Sequence, residues 1–301
     1  MLGRRQLREK VMQAVYAWKT IGEGANERLI EQNMLKGVDE IYDLYIYLLN
    51  LLKFQKEIAE QRIEVARNKI LKTEDDINPN LKFVNNKIFK ILEENEELNA
   101  YSEKNKQLTW DKLDVYPNSI FKEITASEEY LEYMQNPNLS FENDKNFIIQ
   151  IFKKIIAPNE KLHDWLEERN LYWADDVHIV NSMVLMTLKS FIAKGGADLK
   201  LFKVYKDDED REFTLDLFRR TLRYSDETRA KIDEKAVNWE LDRIAVLDLI
   251  LLQMALTELY YFPNIPPKVS LDEYIELAKV YSTEKSKIFI NGILDRSLKE
   301  I

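Results

Sequence analysis

Apolar residues along this chain recur at three-and-four spacing far more often than they alternate, so the pattern predicts helices almost throughout. Leu7, Val11, Ala14, Val15 and Trp18 define a first helix over Leu2–Thr20, stopped by Gly22 and Gly24. A long helix is predicted over Val38–Lys72, with Ile41, Leu44, Tyr45, Leu48, Leu52, Ile58, Ile63 and Ile70 as its apolar positions. The stretch holding Asn78-Pro79-Asn80 breaks it. Further helical segments fall at about 81–98, 118–135, 143–156, 160–169 and 176–193, separated by Pro117, Pro137, Pro158 and Gly195-Gly196.

An acidic hinge, Lys206-Asp207-Asp208-Glu209-Asp210, opens the last third, and Phe213, Leu217, Leu222 and Ile232 mark a helix after it. Trp239-Glu240-Leu241-Asp242-Arg243 then leads into a segment, running to about Tyr261, that is apolar almost all round. Such a helix is predicted to be the central buried element. Phe262-Pro263-Asn264-Ile265-Pro266-Pro267 forces an extended crossing, and Ser270 with Glu273 reads as a capping box for the next helix. The final two helices meet at Ser282-Thr283-Glu284, where Tyr281, Lys285 and Lys287 gather. The fold class predicted is all-α, with no sheet.

Composition narrows the function. The 301 residues are 45% hydrophobic, enough for one large domain or two ordinary ones, and hold only seven Gly and seven Pro. A net charge of −9 argues against a surface that coats nucleic acid everywhere. It leaves room for the local cluster of Arg4, Arg5, Arg8 and Lys10, which is either a solvated patch or a confined RNA contact. Aromatics beside cations, as at Tyr281, Lys285 and Lys287, suit single-stranded nucleic acid, because bases stack on rings while phosphates seek positive charge. With no cysteine there are no disulfides and no thiolate chemistry, and a cytoplasmic location is the default. The most apolar stretch, Ile244–Leu256, is too short for a membrane span and carries Asp248 and Gln253.

No catalytic constellation emerges. His163 and His178 are the only histidines, with no cysteine to complete a zinc site, and no phosphate-binding glycine loop or nucleophile elbow is present. A non-enzymatic protein without metal or cofactor is expected.

The first helix holds Arg4-Arg5-x-x-Arg8-Glu9 and Gln13-Ala14-x-Tyr16-x-Trp18. Near the other end come Trp239-x-Leu241-Asp242-Arg243, Ala255-Leu256-Thr257-Glu258-Leu259, Pro267-Lys268-Val269, Glu276-Leu277-Ala278-Lys279 and Phe289-Ile290-Asn291-Gly292-Ile293-Leu294-Asp295. In this order the motifs resemble those of the NusB family of transcription antitermination factors. The resemblance divides the chain into a NusB-like first helix (1–25), a helical insertion or enlarged N-terminal bundle (26–204) and NusB-like C-terminal helices (205–301).

It implies two packed helical bundles that bind boxA-like single-stranded RNA of ribosomal transcripts together with NusE, a small-subunit ribosomal protein, and so act indirectly on the RNA polymerase elongation complex. It further implies Arg4, Arg5, Arg8, Tyr281 and Phe289 as RNA contacts, with Lys285, Lys287 and Asn291 behind them, and Tyr16 and Asp248 as contacts to NusE. Periodicity alone assigns Phe289 and Ile290 to the core; the resemblance moves only Phe289 to RNA. Asp248 is open between a buried salt bridge and a partner contact, and Asn291 between a structural hydrogen bond and a base contact. Gly292 is read as allowing close helix packing.

Three positions depart from the family pattern: Ser282 where Gly is usual, Lys285 where an acid is usual, and Ile288 where Lys is usual. Ser282 is expected to cap the last helix. Lys285 is expected to draw RNA phosphate closer. A rival reading is a helical scaffold or ribosome-assembly factor whose insertion docks partners through tyrosines such as Tyr42, Tyr47, Tyr130 and Tyr133, which could equally pack internally.

Overall fold

A computed structural model describes residues 3–111, 114–193, 200–236 and 244–299. The Trp239–Arg243 motif and the Gly195-Gly196 break lie outside them. All regular structure among the described residues is helical. The helices run α1 Arg4–Ile21, α2 Glu27–Arg67, α3 Glu74–Ile77, α4 Lys87–Glu94 and α5 Glu96–Lys104. There follow α6 Val115–Ala126, α7 Glu128–Gln135, α8 Phe141–Ile151, α9 Glu160–Arg169 and α10 Val177–Ser190. The last third holds α11 Asp208–Arg223, α12 Ser225–Lys235, α13 Val246–Tyr261, α14 Pro267–Tyr281 and α15 Glu284–Leu298. No described helix is long and apolar enough to cross a membrane.

Contacts divide the chain into two compact units, residues 1–39 with 203–301, and residues 40–202. In the first unit α13 is the hub: every residue from Asp248 to Leu259 is buried, and α1, α11, α12, α14 and α15 all pack on it. Its buried polar side chains are satisfied, as the interior requires. Thr257 Oγ1 donates to the Gln253 carbonyl (2.8 Å), Gln253 Nε2 donates to the Ser225 carbonyl (2.7 Å), and Glu258 accepts from Arg8. α1 stops at Gly22, whose φ of 72° lies in the left-handed region that favours glycine and whose N–H bonds back to the Trp18 carbonyl.

The second unit is built on the apolar face of α2. Tyr47 stacks on Trp110 (centroids 4.2 Å apart) and, through it, on Trp165; Tyr133 stacks on Phe147 (4.0 Å). Tyr42 meets Tyr101 edge-on at 4.9 Å, and Tyr130 lies against Phe83 at 5.7 Å. The four tyrosines offered as a docking surface therefore pack internally, and Tyr47 and Tyr133 are buried.

Several element boundaries differ from the periodicity. α2 begins at Glu27, because Ile30 and Met34 extend its buried face and Asn26 Oδ1 accepts from the Leu29 N–H. It ends at Arg67, leaving Ile70 beyond it and fully exposed. Asn95 and Ser127, each accepting a backbone N–H as an N-cap, divide segments read as continuous into α4–α5 and α6–α7. The helix read through Leu222 and Ile232 is likewise two, α11 and α12. α14 starts at Pro267, so Ser270 and Glu273 form no capping box. Ser270 instead donates to buried Glu258 (2.5 Å), and Glu273 receives Arg5.

Candidate nucleic-acid interface

Arg5 and Glu9 sit one turn apart on α1, about 6 Å along its axis. Both meet α14: the Arg5 guanidinium makes a two-point bond to Glu273 (2.8 and 3.0 Å), and Glu9 accepts from the Tyr281 hydroxyl. The arginine start of α1 and the Tyr281 turn thus lie along one strip of the first unit. Arg5 is 42% exposed in its side chain; its bond to Glu273, opposed by partial burial, raises its pKa above the ordinary guanidinium value. Arg4, similarly exposed, bonds Asp210 at 2.9 Å and lies over the Phe213 ring. Both border a cleft of about 440 Å³ between the start of α1 and the Asn264–Val269 crossing. Lys268, exposed beside that cleft and without an ion pair among the described residues, went unassigned in the sequence although its motif names it.

Arg8 does not belong to this strip. It is 1% exposed and fixed by a two-point bond to Glu258 (2.9 and 2.6 Å), with its guanidinium over Phe213 and Tyr274. Burial works against its charge, but the Glu258 bond and neighbouring charges raise its pKa overall. Glu258 also accepts from Ser270 and Tyr274 (3.2 Å), so the carboxylate is saturated. The cation expected to grip phosphate is a sealed internal ion pair joining α1, α13 and α14.

The last helix shows the same sorting. Phe289, Ile290, Ile293, Leu294 and Ser297 make one buried face of α15. Phe289, 6% exposed, is therefore core, not the stacking surface expected of it. Lys285, Ile288 and Asp295 are exposed on the opposite side, with half-buried Asn291 between them. Lys285 has no ion pair among the described residues; Lys287 is held by Glu284 (2.5 Å), and Asn291 Nδ2 donates to Asp295 (3.1 Å). A Cβ added at Gly292 would meet nothing within 4 Å, so close packing does not explain that glycine. Tyr281 is half-buried, its hydroxyl tied down at Glu9.

The Ser282 hydroxyl donates to Asp248, and Thr283, not Ser282, caps α15 by accepting from the Ser286 N–H (3.2 Å). Asp248 is 3% exposed: it pins this turn from below, is not a surface for a partner, and forms no salt bridge among the described residues. Tyr16, at 44% exposed, does face outward. It borders a groove of about 600 Å³ with Trp18, Lys19, Arg229, Val246 and Leu249. Trp18 is accordingly only half-buried, and Val246 is half exposed. Burial, helped by nearby Arg229, lowers the Lys19 pKa to about 8. Of the two histidines, His163 donates from Nε2 to the Ala157 carbonyl (2.8 Å), and no metal-binding group of three or more candidate side chains exists among the described residues.

Fold and site together define a protein, helical throughout its regular described structure, whose first unit presents exposed cations and a tethered tyrosine along one strip. Residues 186–299 match the NusB family model, and the chain carries a NusB-family domain there. Transcription antitermination protein NusB of Salinibacter ruber is 48% identical over 96 residues, 32% of this chain and 60% of that protein. The NusB proteins of Chloroherpeton thalassium and Methylacidiphilum infernorum are each 39% identical, over 98 and 94 residues. These cover 33% and 31% of this chain, and 46% and 66% of the relatives. The chain thus spans about half to two-thirds of the length of these relatives. No solved structure matches it significantly.

Proposed function

We propose that this protein is an RNA-binding transcription antitermination factor that acts in the cytoplasm with NusE on boxA-like segments of ribosomal RNA transcripts, and that it is not an enzyme. The observation that carries this reading is the strip along α1 and α14–α15 in a chain with a NusB-family domain. Arg4, Arg5 and Lys285 supply movable positive charge at its two ends. Tyr281 supplies a fixed ring between them, and Lys287 and Asn291 flank it. Arg8 and Phe289 serve the site from inside, by holding α1 and α15 in place. NusE meets the Tyr16 side of α1.

Each surface arginine already has a carboxylate partner, so RNA phosphate must compete with Asp210 and Glu273. The half-exposed Arg5–Glu273 pair is worth only about 0–1 kcal/mol, which makes exchange there feasible, whereas the buried Asp210 carboxylate holds Arg4 more firmly. Titration of the full chain with a boxA-like RNA and with its scrambled sequence, alone and with NusE, tests the reading. Selective binding that NusE strengthens is expected. Equal, weak binding of both RNAs in the presence of NusE overturns it.

A further inference from the structure

The groove beside Tyr16 holds an ammonium that forms no ion pair among the described residues. Lys19 is half-buried, and among the described residues its ammonium donates only to the neutral Gln253 Oε1. Glu23 and Asp226 line the same groove, yet neither forms an ion pair with it, and a second cation, Arg229, repels the Lys19 charge. Arg229 is exposed and has no ion pair among the described residues. A half-buried ammonium facing a like charge is unfavourable in either direction: it loses hydration and gains repulsion. Tyr16, Trp18, Val246 and Leu249 give the groove an apolar wall, and the neutral polar Thr20, Ser225 and Gln253 also line it. At about 600 Å³ the space falls within the range of ordinary ligand sites.

We propose that this groove receives a carboxylate attached to an apolar side chain of the partner protein, with the apolar part on Tyr16, Val246 and Leu249 and the carboxylate between Lys19 and Arg229. The inference rests on the reading that the Tyr16 side of α1 is the partner face. It reverses the charge expected there, since the acidic residue assigned to that face, Asp248, is engaged internally by Ser282. Charge complementarity selects the occupant: an acidic–apolar segment supplies the missing counter-ion, whereas a basic one would add a third cation.

The test uses the full chain and three probes of one shape: 3-phenylpropionate, its amide and 3-phenylpropylamine. Each is titrated while the NMR signals of Val246 and Leu249 methyls are followed. The carboxylate is expected to shift these signals and bind about tenfold tighter than the amine, a difference of about 1.4 kcal/mol. Lys19→Gln, which keeps a hydrogen-bonding group beside Gln253, should erase that preference, and Arg229→Gln should reduce it. Equal or tighter binding of the amine, or a preference untouched by Lys19→Gln, overturns the proposal.

A second arm separates it from the partner reading. Wild type that binds NusE tenfold more tightly than Lys19→Gln supports both. NusE binding indifferent to Lys19→Gln keeps the partner and overturns the carboxylate. Selective phenylpropionate binding with no NusE binding keeps the groove chemistry and overturns NusE as the partner.

Discussion

Ser282 and Asp248 are joined by a hydrogen bond that runs from the α14–α15 turn to a carboxylate buried on α13. Two residues read separately in the sequence, one as a helix cap and one as a partner contact, turn out to be a single fastening. Val246 and Leu249, which flank Asp248 along α13, line the groove beside Tyr16. The fastening therefore ties the floor of that groove to the turn that carries Tyr281. Ser282→Ala leaves a buried acceptor without this donor, and a loss of about 1–3 kcal/mol is expected in urea denaturation. Ser282→Gly should lose a similar amount. A variant as stable as the wild type would show that Asp248 finds its satisfaction elsewhere.

Arg8 and Arg5 should separate cleanly despite lying three residues apart. Arg8→Gln leaves Glu258 buried and deprived of its charge partner, and breaking a buried pair from one side costs about 3–5 kcal/mol. Arg5→Gln removes a half-exposed pair and should change stability by no more than about 1 kcal/mol. Thermal melts of the two variants side by side check this. Equal destabilisation would mean that the interior of α1 is less well sealed than Arg8 indicates.

The aromatic pair should divide in the same way. Phe289→Ala opens the core beneath α15 and is expected to cost about 3–5 kcal/mol of stability. Tyr281→Ala should spare more of the fold and weaken RNA binding by about 1–3 kcal/mol, the worth of one stacked base. Measured affinities at a temperature where both variants remain folded distinguish them. A larger RNA defect in a folded Phe289→Ala than in Tyr281→Ala would restore Phe289 to the surface role.

Lys19 gives the protein a stability gradient in alkaline solution. Its pKa is lowered from 10.5 to about 8 on folding, so below about pH 8 both states are protonated and only the folded one bears the cost of burial. Between about pH 8 and the unfolded value the unfolded state holds more protons than the folded one. The contribution of Lys19 to stability therefore rises with pH across that window. Lys19→Met should remove this rise and make the protein relatively more stable at pH 7. Urea midpoints at pH 7 and pH 9.5 for both proteins measure it; parallel changes would show that Lys19 is fully hydrated.

The helical class was legible from spacing, because three-and-four recurrence is a backbone property that survives any arrangement of helices. The central burial of α13 was legible for a related reason: a helix apolar on all sides has nowhere else to go. The fate of individual site residues was less so. Arg8 looks like its neighbours Arg4 and Arg5 in the sequence, and only Glu258, 250 positions away, turns it inward. Phe289 did carry a local signal: with Ile290, Ile293 and Leu294 it completes one face, and that period outweighed the motif. The groove at Tyr16 left little trace, since it joins the end of α1 to the starts of α12 and α13, and its apolar lining, Trp18, Val246 and Leu249, read as core.

The most direct test of the RNA-binding strip is the salt dependence of boxA-like RNA binding by wild type, Arg5→Gln, Lys285→Gln and the double variant, with Arg8→Gln compared under conditions where it is folded. Each lost phosphate contact should reduce the steepness of log affinity against log salt by about 0.7 for a single strand. Arg5→Gln and Lys285→Gln should each flatten the line by that amount, their effects should add, and Arg8→Gln should leave the slope unchanged. Identical slopes for wild type and the Arg5/Lys285 double variant would show that RNA does not lie along α1 and the α14–α15 turn.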